Sequence, residues 1–355
     1  MLPSLSSGAI RVLTGSHTPD SGGDGPGVSA LLLDPTTGHL AYDDEVKPLP
    51  VSGASFLAAH PSLDVVYSTN ETEAGTVSAF ALDGEGTMTP LGDPVSGGGA
   101  NPCHLTVHPG GEWLLTANYG SDTAPGTVAV HRIDADGRLL EPADLVVHQG
   151  AGPVTGRQEG SHAHQVLLDP AGRFVLATDL GADAVFTYRL DTRTGHLERV
   201  AVNRLRAGSG PRHLAFAPGG DVVFSADELS STVTCHRYDA TRGTLTALSS
   251  VPATTVTGVT NQPGGIVAGG RHVWVTNRGA DTVAAFHLAG TTLEPAGEFP
   301  AGGTWPRGLT LAAGHLLVAN QHSGDLTVLR VSDDGTLHPP HPALSAPSVV
   351  CALAL

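Results

Sequence analysis

The chain has 355 residues, with 34 acidic against 18 basic side chains and a formal net charge of −16. That charge argues against nucleic acid or an anionic membrane surface as a partner, yet leaves room for a locally positive pocket that holds a small anion. No apolar run approaches the roughly 20 residues of a membrane span. The N-terminal stretch MLPSLSSGAIRVLTG lacks a basic segment followed by an apolar one, so no export signal is expected. Cys103, Cys235 and Cys351 are odd in number and far apart. They predict buried, reduced thiols and a cytoplasmic protein.

Read in chain order, the first element is Val12 to Ser16 (VLTGS), which matches the end of a segment that then returns along the chain. Copies begin at Ala54, Pro102, Gly160, Pro211, Gln262 and Trp305, in forms such as PCHLTVHPGGEWLLTANYG and PRHLAFAPGGDVVFSADELS. Each closes on an Asn or Asp: Asn70, Asn118, Asp179, Asp227, Asn277 and Asn320, spaced by 48, 61, 48, 50 and 43 residues. A period near 50 means stacked supersecondary units.

Within one unit the period is that of strands. His104 to His108 reads as a strand, Pro109-Gly110-Gly111 as a turn and Trp113 to Ala117 as a second strand. Gly126 to Ile133 is a third strand, Ala135 to Arg138 a hairpin turn, and Leu139 to Val147 holds a fourth strand. The Asp-Gly hairpin signal recurs at Asp83-Gly84 and Asp334-Gly335, with Thr194-Gly195 in the same role. Pro347 to Ala352 looks like a first strand whose unit then stops. The expected fold is all-β, a single seven-bladed β-propeller domain over residues 1–355 with four antiparallel strands per blade. Its ring is closed by the C-terminal strand, which supplies the innermost strand of the first blade. A closed ring has little exposed edge, so a monomer is expected.

The start of each first strand and the end of each second strand lie on one rim. One column of rim positions holds Ser55, Cys103, His164, Arg212, Gly264, Arg307 and Ser348. A second, following the Asn/Asp position, holds Glu71, Tyr119, Leu180, Glu228, Arg278 and Gln321. The Asn/Asp residues themselves are expected to brace turns. His164, Arg212, Glu228, Arg278 and Arg307 converge from blades four to seven. With only 18 Lys plus Arg in the chain, three arginines on one rim are a concentration that favours a site over a rim of plain ion pairs. The 61-residue interval carries its surplus in HQGAGPVTGRQEGSHAH, a loop expected to lean over the same rim with Arg157, Gln158, Glu159 and His162. No Cys/His cluster has zinc spacing, no Asp-x-Asp-x-Asp calcium loop is present, and no Gly-x-Ser-x-Gly motif appears in strand–turn–helix context.

The segments RQEGSHAHQVLLDPAGRFVLATDLGADAVFTYRLD and GPRHLAFAPGGDVVFSADELSSTVTCHRYD resemble the lactonase family of seven-bladed propellers. That family contains the propeller-type 6-phosphogluconolactonases and the carboxymuconate-lactonising enzymes. The likeness runs from about Gly8 to Val350. Carried over position by position, the family's site falls on His164, Arg212, Glu228 and Arg278 as catalytic residues. Arg157, His162, Arg307 and Gln321 are the substrate-binding candidates beside them. The resemblance implies hydrolysis of a small anionic sugar lactone, 6-phosphoglucono-1,5-lactone first, a step of the pentose phosphate pathway, with no metal and no organic cofactor. Carboxymuconate-type lactonisation, or a propeller that only binds a ligand or a protein, remains open at this point.

Overall fold

Seven antiparallel sheets stand in a ring, one for each copy of the repeat, in a computed structural model that describes residues 8–355. Part of the stretch behind the expectation of no export signal, residues 1–7, lies outside the described residues. The inner strands are Val349–Ala354 for blade 1, then Ala54–Ala59, Pro102–Val107, Ala163–Leu168, Pro211–Phe216, Gln262–Gly269 and Pro306–Ala312 for blades 2 to 7. Among the described residues the sole helical element is a 3-10 turn at Pro19–Ser21, and no helix is long and apolar enough to cross a membrane.

Burial follows position in the blade. The second strand of blade 5, Val222–Asp227, is buried along its whole length, while the outermost strand, Thr244–Pro252, has no buried residue. Strands enclosed on both faces read as continuous apolar runs. Apolar side chains form seven clusters, each spanning two adjacent blades. Blades 4 and 5, for instance, share Phe174, Leu176, Val185, Leu214, Val223 and Tyr238. The ring therefore coheres through its blade-to-blade contacts.

The ring closes as expected. Val12 pairs with Ala354, Thr14 with Ala352 and Gly15 with Cys351, so the last strand lies innermost in blade 1. The fourth strands are uneven. Blade 2 has its outer edge in two pieces, Met88–Pro90 and Val95–Ser96, and blade 7 keeps only Leu344–Ser345. The hairpin glycines Gly137, Gly195 and Gly335 take left-handed backbone. At Asp83-Gly84 the left-handed residue is Gly86, because the turn runs from Asp83 to Thr87 with the same bonds as the Asp134–Arg138 turn, in which Gly137 holds that place.

Two details of the rim decide where side chains point. Every inner strand slips register at its start: Pro211 pairs with Asp227 but His213 with Ala226, which leaves Arg212 as an extra, unpaired residue. The same slip occurs in all seven blades. Such a bulge re-aims a side chain. It also corrects one expectation. In blade 1 Ser16 pairs with Val349 and Gly15 with Cys351, so the bulged rim residue is Val350 and not Ser348. The phrase misleads because Val349 stands where blades 3, 5, 6 and 7 carry a proline.

The second detail is the residue just before the inner strand. Gly53, Asn101, Gly210, Trp305 and Ser348 all adopt left-handed backbone, with φ from 49° to 60°. In each case its carbonyl accepts a hydrogen bond from the backbone N–H of the second rim residue: Glu71, Tyr119, Glu228, Gln321 and His17. This turn presents the second column to the mouth.

Candidate active site

Glu228 is the centre of the mouth. Its Oε1 accepts a hydrogen bond from Arg157 Nη2 at 2.5 Å, and its Oε2 accepts one from Arg278 Nη2 at 2.6 Å. Arg212 Nε stands 3.4 Å from the same Oε2. Three guanidinium groups thus face one carboxylate, an excess of positive charge on an acidic protein. The Arg212, Arg278 and Glu228 side chains are 4 to 6% exposed, whereas Arg157 is 33% exposed. Arg278 is further fixed by donating Nε to Gln262 O and Nη2 to Pro263 O, and its guanidinium lies 5.8 Å from the Trp305 ring centre. Arg212 donates Nη1 to Gly264 O at 3.0 Å.

The charges follow from this packing. Burial would raise the Glu228 carboxyl, but Arg278 and then Arg212 outweigh it and hold the group well below the usual carboxylate range. Burial, Arg278 and Arg307 push the Arg212 guanidinium down to about 9, still cationic at neutral pH. Burial and the neighbouring Arg212 drive His164 well below 6.5, so its imidazole is neutral. His164 Nδ1 is buried and has no hydrogen-bond partner. Its ring sits edge-on to Tyr119 at 5.8 Å.

The long loop is ordered by Gln158 and not by Arg157. Gln158 donates Nε2 to Leu180 O and to Asp183 Oδ1, while its Oε1 accepts from Val154 N. Asp183 also accepts from Gly208 N and Gly210 N, so one carboxylate ties the Arg157 loop to the segment that leads into Arg212. Glu159 faces solvent and bonds Gly156 N. His162 stacks on Tyr119 at 4.3 Å and bonds Tyr119 O through Nδ1.

Arg307 is drawn to a second carboxylate. Its Nη2 lies 3.1 Å from Glu71 Oε1, and His17 Nε2 stands 3.7 Å from Glu71 Oε2. Gln321 occupies the second column of blade 7, with a buried side-chain oxygen that has no partner. His17 is the blade-1 counterpart of Glu228, a position that the Asn/Asp spacing misses because blade 1 carries Ser16 there. His213 and His104 were also missed. They follow the bulge residues and form, with His164, a neutral imidazole group inside the channel, with centroids 5.2 to 5.4 Å from ring to ring. The repeated Pro-x-His phrase was the available signal. Below the mouth a cavity of about 190 Å³ is lined by Arg212, His213, Gln165 and Arg307 among others.

The Asn/Asp positions do brace turns. Asn118 donates to Gly97 O and Thr127 Oγ1, and Asp179 Oδ1 accepts from His162 N and Ala182 N. Among the described residues no group of three or more His, Cys, Asp or Glu side chains is placed to hold a metal ion. The chemistry on offer is a neutral base beside fixed cations, suited to a reaction in which an oxygen gains negative charge.

The chain is similar to known proteins over nearly its whole length. A family model described as "Lactonase, 7-bladed beta-propeller" matches residues 11–354. The chain is 30% identical to a 6-phosphogluconolactonase of Bacillus subtilis, over 93% of this chain and 94% of that protein. It is 25% identical to a 6-phosphogluconolactonase of Formosa agariphila, over 86% and 88% of the two chains. Among solved structures it is similar to the periplasmic gluconolactonase of Pseudomonas aeruginosa, with a TM-score of 0.89, 26% identity, and 98% and 99% of the chains covered.

Proposed function

Because the chain belongs to the lactonase family of seven-bladed β-propellers, we propose that it hydrolyses a sugar lactone, 6-phosphoglucono-1,5-lactone, at the mouth built around Glu228. The observation that carries this reading is the neutral His164 imidazole beside a mouth where three arginines face one carboxylate.

In the proposed reaction water attacks the lactone carbonyl and the His164 imidazole takes its proton. The carbonyl oxygen gains negative charge opposite Arg212 and Arg278, which need no reorganisation because Glu228 and backbone carbonyls already hold them. The bond from carbonyl carbon to ring oxygen then breaks. The proton on His164 goes to that oxygen, which becomes a hydroxyl, and the new carboxylic acid loses its own proton to solvent. A buried imidazole beside Arg212 is a weak base until an anion binds, and the anion raises its basicity by the same Coulomb attraction. Arg157, His162, Arg307 and Gln321 surround the mouth as contacts for the phosphate and hydroxyl groups. Three buried free thiols are the ground for assigning the reaction to the cytoplasm, with a monomer as the working unit.

The test is turnover of 6-phosphoglucono-1,5-lactone and glucono-1,5-lactone by the purified protein, above uncatalysed hydrolysis. Turnover that persists in EDTA is expected. Neither lactone being hydrolysed faster than in buffer would refute the reading.

A further inference from the structure

The turn before the inner strand is left-handed in five blades, and four of them use Gly53, Asn101, Gly210 or Ser348. Blade 7 uses Trp305, at φ 60°. Glycine meets such a backbone without strain, whereas a bulky side chain is an outlier there. Strain of this kind persists where the surroundings over-determine it, and it gathers at functional sites. The surroundings of Trp305 do so. Its N–H donates to Asp281 Oδ1 at 2.8 Å, its carbonyl accepts from Gln321 N, and its indole stacks on His322 at 4.6 Å and 12°.

What the indole reaches is Arg278, whose guanidinium carbon lies 5.8 Å from the ring centre. The hydrogen bonds of Arg278 to Gln262 O, Pro263 O and Glu228 all lie at the rim of the guanidinium plane. The indole supplies what they cannot, an apolar wall that shields the cation from water and strengthens its field in the mouth.

We infer that Trp305 is a positioning residue for Arg278, kept in a strained backbone so that its indole holds that guanidinium desolvated at the mouth. This rests on the lactonase reading for the reaction but not for the contact. Trp305 then acts through Arg278 on the oxygen that gains charge, so its loss should appear in kcat more than in KM.

The experiment compares the parent protein with Trp305→Gly and Trp305→Phe. The glycine variant should melt at the parent temperature or above, because the strain is gone, while kcat falls about tenfold with KM within about threefold. The phenylalanine variant, which keeps an aromatic face, should recover most of that kcat. A binding arm is independent of turnover. Adding 6-phosphogluconate to the parent should change the indole emission, and Trp305→Phe should lose that change, since Trp113 and Trp274 are buried against Thr192 and Gly335 at the outer turns. If the glycine variant keeps the parent kcat, or loses kcat only alongside a falling melting temperature, the role is refuted. If the parent turns over no lactone but the emission change requires Trp305, the reaction assignment fails and the positioning role stands. An emission change that survives in Trp305→Phe overturns it.

Discussion

Arg157 Nη2 lies 2.5 Å from Glu228 Oε1, although 71 residues separate the two in the chain. The contact joins a loop that the other blades lack to the middle of the mouth. It is also the most exposed of the three arginine contacts to Glu228, so it is the one that an incoming anion can replace at least cost.

Arg157→Ala should therefore weaken substrate binding more than chemistry. An exposed charged hydrogen bond of this kind contributes about 1–1.5 kcal/mol, roughly a tenfold rise in KM. Initial rates over a range of lactone concentration decide it, and a loss confined to kcat would contradict the prediction.

Arg212→Lys and His164→Ala should act on the chemistry itself. A lysine cannot reproduce the planar fork that reaches Gly264 O and Glu228 together. Losing a group that acts only in the transition state costs about 2.7–4 kcal/mol, a hundred- to thousandfold in kcat. Asn118→Ala, which removes the bonds to Gly97 O and Thr127, should instead lower the melting temperature and leave the kcat of the folded fraction unchanged. Turnover and melting curves for the three variants separate the two kinds of role. Near-parent turnover in both His164→Ala and Arg212→Lys would move the site elsewhere.

Glu228→Gln leaves Arg212 and Arg278 buried without their carboxylate, a loss of about 3–5 kcal/mol at neutral pH. The sign of its pH dependence is fixed. The folded carboxyl titrates below the unfolded one, so its contribution is complete above about 4.3 and is lost as pH falls through the lower, folded value. Urea unfolding should show a constant gap between parent and variant from pH 6 to 8, and a shrinking gap in strong acid. A gap that widens on acidification would disprove the assignment.

Asp227 behaves in the opposite way. Burial raises its carboxyl to about 6, against the pull of hydroxyls from Thr234, Ser225 and Thr232. The folded state then favours the protonated form, so this residue adds stability below about 3.9 and loses it as pH rises through 6. Blades 2, 3, 6 and 7 carry Asn at the same place. Asp227→Asn should raise the melting temperature at pH 7.5, by up to about 3 kcal/mol of stability, and the gain should fade below pH 5. Calorimetry at the two pH values measures it.

The repeat was legible because the turn-bracing role demands Asn or Asp at one spacing, and Asn118 and Asp179 carry it out through different partners. The mouth was legible at His164, Arg212, Glu228 and Arg278 because a repeat exposes its own exceptions. His213 was not, for a physical reason. Alternation in a strand puts neighbours on opposite faces, so Arg212 and His213 should point apart. The bulge between them breaks the alternation, and both line the same cavity. Val350 and His17 escaped because blade 1 is assembled from the two ends of the chain, and its text lacks both the Asn/Asp that marks the other six blades and the proline that marks four of them.

The slipped register has a consequence for how such a protein can change. The extra residue of each inner strand belongs to no ladder, so replacing its side chain leaves the pairing on either side intact. Ser55, Cys103, His164, Arg212, Gly264, Arg307 and Val350 sit in the same kind of socket while differing in size, charge and polarity. A new reaction would need new fittings in these sockets and no new scaffold, except at Gly264, where a Cβ would stand 2.6 Å from Thr276 Oγ1 and 2.9 Å from Pro306 O.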